Sequence, residues 1–128
     1  VARSTDPGVG PDQFDHETGA GTVLMAGLAL LALLLIGSAG LLLQAASAAS
    51  RAATAADLSA LAAADTARGL TAGEPCVVAA EVAARHGATV QDCAVGATGE
   101  GTVTVRVRID VVGVLPDAVG AARAGPPP

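Results

Sequence analysis

Lysine, tryptophan and tyrosine are absent from this 128-residue sequence, phenylalanine occurs once, at Phe14, and cysteine occurs only at Cys76 and Cys93. Each shortage removes a class of explanation. The basic charge rests on seven arginines against twelve acids, for a formal net charge of −5. Those arginines are scattered, so no run of them can neutralise a phosphate backbone, which argues against nucleic-acid binding. Without large rings, any core must be built from Val, Leu, Ile and Ala. A small domain made from such side chains buries little area and needs a staple or a partner. Exposed aromatics of the kind that line a sugar or peptide groove are missing too.

Chemistry-bearing patterns are equally scarce. No nucleophile motif, phosphate-binding glycine loop or metal-binding pair on a helix occurs, so the sequence predicts neither an enzyme nor a cofactor. Asp57 and Asp65 are eight residues apart, about two helical turns, too far for a coupled carboxylate pair. Cys76, His86 and Cys93 match no familiar zinc spacing and lack a fourth ligand. His16 falls in the N-terminal flank.

What the sequence has in abundance is apolar character: 52% of its residues are hydrophobic. From Thr18 to Ser50 there is no charged residue, and Thr22 to Leu43 is almost entirely Leu, Ala, Val, Ile and Gly. About 20 such residues, rising 1.5 Å each, span the hydrocarbon core of a bilayer. A buried helix of a soluble core would need equally apolar partners elsewhere, and the remaining sequence offers none. The expected organisation is a disordered leader over 1–18, a transmembrane helix over 19–45, an extracytoplasmic α+β domain over 46–115 and a Pro/Gly-rich tail over 116–128. Arg3 and Arg51 balance across the apolar run, so the positive-inside rule gives no orientation. Ala46-Ser47-Ala48 supplies small residues at a plausible signal-peptidase position after Ala48. Against cleavage there, the flank before the run lacks the positive charge of a signal peptide and the run is longer than usual.

Beyond the apolar run, residues 44–68 are alanine-rich without Gly or Pro, so the helix is expected to continue to a stop at Gly69. Leu58 and Leu61 lie three residues apart on one face, and Asp65 and Arg68 are spaced to pair. An alanine stripe permits close approach of another helix or a sheet, although high helix propensity alone also accounts for it. Pro75 suits the first position of a second helix ending at Gly87, with Val78, Val82 and alanines as its apolar face and Arg85 and His86 in the last turn. The period then changes to two. Ala88 to Val95 reads as a strand, residues 96–101 as a turn, and Thr102 to Val111 as a second strand with Val103, Val105, Val107, Ile109 and Val111 on one face. A lone hairpin is unstable, so that valine face must cover the helices or another subunit. Pro116 and the Gly125-Pro126-Pro127-Pro128 end read as a tail.

Cys76 opens the second helix and Cys93 lies in the first strand, and the helix-turn-strand return between them makes the two a disulfide candidate. Closing a loop of this length contributes on the order of 3 kcal/mol. Two buried free thiols are the alternative, favoured if the domain faced a reducing cytoplasm. Alternation leaves open which face of that strand is inside.

Gly19-Ala20-Gly21-Thr22-Val23-Leu24 opening the apolar helix, then Ala55-Ala56-Asp57-Leu58-Ser59-Ala60-Leu61-Ala62-Ala63-Ala64, resembles the TadE family of pilus-assembly proteins, and most its short actinobacterial branch. The order continues with Cys76 at the start of the next helix, Cys93 in a strand, the alternating strand Thr102 to Val111 and the Ala122 to Pro126 end. The resemblance implies a pilin-like fold: a long N-terminal transmembrane helix running into an Ala-rich helix, a short helix and a two-stranded antiparallel hairpin. It implies a structural or accessory, pseudopilin-like subunit of a Tad/Flp-type pilus or related secretion apparatus, in the cytoplasmic membrane, partnered by other Tad components or by copies of itself. Pilin-like members are cut after a glycine before the apolar helix, for which Gly19 is the candidate. The fifth residue after that cut would be Leu24, where pilins carry glutamate. The reading from another class is a membrane-tethered or secreted cell-envelope binding module.

Overall fold

The computed structural model describes residues 12–127, with side chains from Gly19 onward. Of the leader expected over 1–18, residues 1–11 lie outside the described residues, whereas 12–18, with His16, belong to the first helix. The elements follow the order α1 (Asp12–Ala67), α2 (Pro75–Arg85), β1 (Thr89–Val95), β2 (Val103–Ile109) and β3 (Ala118–Ala124). Two compact units divide the chain, residues 1–40 and 41–128. The first is the apolar part of α1, and its large side chains from Val23 to Ile36 are all exposed.

The second unit is an antiparallel sheet in the order β1-β2-β3 with the alanine-rich part of α1 and the short α2 packed on it. Both helices end where the sequence punctuates them. Gly69 and Gly87 take positive φ (75° and 69°), and the following amides reach back to Asp65 and Ala83 carbonyls at 2.9 and 3.0 Å, which closes each last turn as a Schellman motif. Pro75 follows the N-cap Glu74, whose carboxylate accepts from the Val77 amide at 2.9 Å. This satisfies one of the donors that a helix start leaves open.

The core forms where two periodicities meet. On α1 the inward positions are Ala52, Ala55, Ala56, Ser59, Ala60, Ala63 and Ala64, the i, i+3, i+4 spacing of one helical face. On β2 they are Val103, Val105 and Val107, fully buried, with Ile109 beside them. From α2, Ala79 and Ala83 complete the core, with Val78 and Val82 half-buried. Thr104, Arg106 and Arg108 point to the other side of the sheet, so the alternation predicted for β2 holds.

The sheet has three strands where the sequence predicts two, and the 116–128 segment expected as a tail contains β3. Strand β3 pairs with all of β2, placing Ala124, Ala122, Gly120 and Ala118 opposite Val103, Val105, Val107 and Ile109. Its inward positions are Ala118, Gly120, Ala122 and Ala124, and Val119 is its one branched side chain, so it shows little of the pattern by which a strand is recognised. Pro116 precedes it and Pro126 follows it, where proline interrupts no ladder. Small size is what the position needs. A Cβ on Gly120 would overlap the Ala52 carbonyl of α1, so β3 meets the helix backbone directly.

Candidate functional site

The strongest constraint in the second unit is covalent. Cys76, at the start of α2, is bonded to Cys93 in β1, with Cα atoms 5.9 Å apart and a sequence separation of 17. Neither sulfur is thus available as a thiolate, and the trio with His86 is not a metal site. The bond also answers which face of β1 is inside. Val90 pairs with Val107 and Cys93 with Val105, and the register shifts between Val90 and Asp92. One extra residue in this bulge brings two positions three apart onto the same face. Strict alternation could not have shown that.

The apolar surface of α1 is the largest feature. Among the described residues this is one helix long and apolar enough to cross a membrane, and none of its most apolar stretch is covered by the protein. Toward its other end the alanine stripe is occupied by the chain's own sheet. Leu58 and Leu61 consequently face away from the core, 40% and 54% exposed. Asp65 and Arg68 pair as the spacing predicts, at 2.8 Å. Asp57 is exposed and has no such partner drawn to it in the alanine face.

Gly19 and Ala48, the two candidate processing positions, both lie within α1; Gly19 is exposed and Ala48 half-buried. The Gly19 carbonyl accepts from the Thr22 hydroxyl at 2.9 Å. Ala48 borders a cleft of about 450 Å³ between α1 and the end of β2, together with Leu43, Gln44, Ser47, Arg51 and Ile109–Val112. His86 follows the last turn of α2, and a smaller cleft joins it to Ser50, Arg51 and Thr54.

Two features escape a linear reading. The pleat gathers Arg106 and Arg108 of β2 with Arg123 of β3 on the outer sheet face, so three of seven dispersed arginines share one surface. Arg108 is engaged by Asp117 at 2.8 Å and by Asp110 at 3.1 Å. The second feature is the β2–β3 loop, where Val112 and Val114 are bare. Its charge-free sequence between two aspartates was a visible signal, masked by the assignment of this region to a strand end and a tail. Compared with protein-family models, with curated proteins and with solved structures, the chain matches none.

Proposed function

We propose that this protein is a structural or accessory, pseudopilin-like subunit of a Tad-type pilus or related type IV filament secretion apparatus. Helix α1 anchors it in the cytoplasmic membrane, and the disulfide-tied unit lies on the outer side. The observation that carries this reading is the partition along one helix. Residues 23–43 present large apolar side chains with no protein over them, whereas Ala52 to Ala64 turn only small residues inward and hold a sheet. A filament subunit needs both, because it is stored in a bilayer and then buries the same apolar surface against neighbouring helices.

Further support comes from the order of features that resembles TadE proteins, from Gly19 through the cysteines to Pro126. The Cys76–Cys93 bond fits an oxidising compartment and hence the outer side of the membrane. Leu58 and Leu61, left outside by the alanine stripe, give the exposed helix face an apolar contact for a neighbouring subunit. The lack of aromatic residues that would line a ligand groove favours assembly over a tethered binding module.

The test is crosslinking in intact host cells followed by purification of the protein from membranes. Adducts with pilus-assembly components, or with further copies of this chain, are the expected result. An uncrosslinked monomer that instead retains a small envelope ligand would overturn the proposal. Intact mass of the same material, with and without reduction, reports whether the cysteines are oxidised and whether cleavage has followed Gly19 or Ala48.

A further inference from the structure

The β2–β3 connection, residues 110–117, reads Asp-Val-Val-Gly-Val-Leu-Pro-Asp, six uncharged residues between two carboxylates. Its base is clamped. The Arg108 guanidinium donates to Asp117 and Asp110, and the Val111 amide donates to the Asp117 carboxylate at 3.1 Å. Above this clamp Val112 is 98% exposed and Val114 88%, more than any other large apolar side chain among the described residues. Loops that only close a hairpin in water are built from polar residues, Gly and Pro. Two bare valines on a fixed base call for a covering.

What lies beside the loop identifies the covering. At one end of the sheet, Ile109–Val112 share the 450 Å³ cleft with Leu43, Gln44, Ser47 and Arg51 of α1. At the other, Gly101 adjoins Arg68, to whose Cγ a Cβ would come within 3.1 Å. The sheet is thus ordered along the helix, with the 96–101 turn toward its C-terminal end and the 110–117 loop beside Leu43 to Arg51. Leu43 is the last residue of the uninterrupted apolar run. Arg51 follows about 12 Å farther along at 1.5 Å per residue, beyond a polar layer of roughly 5–8 Å on each side, from where its long side chain can reach back toward that layer.

We propose that Val112 and Val114 enter the interfacial layer of the same bilayer that α1 spans, giving the domain a second, shallow membrane contact. The inference rests on α1 being a membrane span and does not need the pilus assignment. Lipid is the occupant because the base of the loop shares a cleft with Leu43, where the apolar run ends. Arg51, in the same cleft, offers a cation that can reach back toward lipid phosphates. A shallow contact of this kind restrains the domain against the membrane and must be broken when a subunit leaves it.

The absence of Trp and Tyr makes the test clean, since one introduced tryptophan is the only indole. Full-length variants Val112→Trp, Val114→Trp, Glu100→Trp and Leu33→Trp are reconstituted singly into phosphatidylcholine/phosphatidylglycerol vesicles with and without brominated acyl chains. Leu33→Trp, Val112→Trp and Val114→Trp should emit at shorter wavelength and lose most of their intensity to bromine. Glu100→Trp, in the turn at the far end of the sheet, should keep a water-like, unquenched emission. Quenching at 33 without quenching at 112 and 114 overturns the inference while leaving the span intact. A blue-shifted but unquenched signal at 112 also overturns it, because the loop would then be covered by a second copy. An unquenched Leu33→Trp would remove the span itself, and the inference with it.

Discussion

Replacing both cysteines, Cys76→Ala with Cys93→Ala, should loosen the second unit far more than its modest chemical change implies. The bond closes a loop across 17 residues of sequence separation. Loop-closure entropy for a ring of that size corresponds to about 3 kcal/mol of stability lost when the bond is absent. For a unit of this length each kcal/mol moves the melting midpoint by about 4–8 °C, so the variant should melt roughly 12–24 °C lower. Circular dichroism is a poor assay here, because a detergent-held apolar helix keeps its signal whether or not the sheet unfolds. Hydrogen exchange of the β2 peptide avoids this. Its core amides, including those of Val105 and Val107, exchange through opening of the unit, and 3 kcal/mol corresponds to roughly a hundredfold acceleration. Acceleration below about fivefold, near 1 kcal/mol, would refute the reasoning. Contacts among alanines and valines would then suffice without the staple.

Three further outcomes follow from single contacts. Gly120→Ala should cost about 2 kcal/mol or more by forcing β3 off the Ala52 carbonyl, whereas Ala121→Ser on the outer face should stay within about 0.5 kcal/mol; urea midpoints in detergent compare them. Ser59, fully buried in the alanine stripe, has a hydroxyl with no hydrogen-bond partner, so Ser59→Ala should stabilise by about 1 kcal/mol and raise the same midpoint. Asp117→Ala removes both the Arg108 partner and the acceptor for the Val111 amide. Since the pair is partly exposed, global stability should fall by no more than about 1 kcal/mol, while exchange across residues 110–117 accelerates.

The elements with strong local signals were legible in the sequence. Gly69, Pro75 and Gly87 mark helix ends by backbone chemistry that is independent of packing, and all three do so here. The valine alternation of β2 survives because one strand face is buried and the other wet. Harder to read were features that depend on tertiary fit. Strand β3 consists of small residues chosen for approach to α1, so its pattern carries little hydrophobic contrast. The bulge in β1 inserts a residue, so Val90 and Cys93 share the inner face where strict alternation would have set them on opposite faces. Leu58 and Leu61 stand out in an alanine field, yet the alanines face the core and the leucines do not. Hydrophobicity points the wrong way there because close approach, not side-chain bulk, decides which face of α1 meets the sheet.

That preference for closeness also accounts for how the unit is held. Alanine opposite valine, and glycine against a helix carbonyl, bring backbones together but remove little apolar area from water per residue. The deficit falls unevenly. The disulfide ties α2 to β1 and encloses neither α1 nor β3 within its loop, so it constrains one side of the sheet and leaves the α1 contact to small side chains alone. The Val103, Val105 and Val107 face therefore depends on α1 for its cover, which the bond alone does not supply.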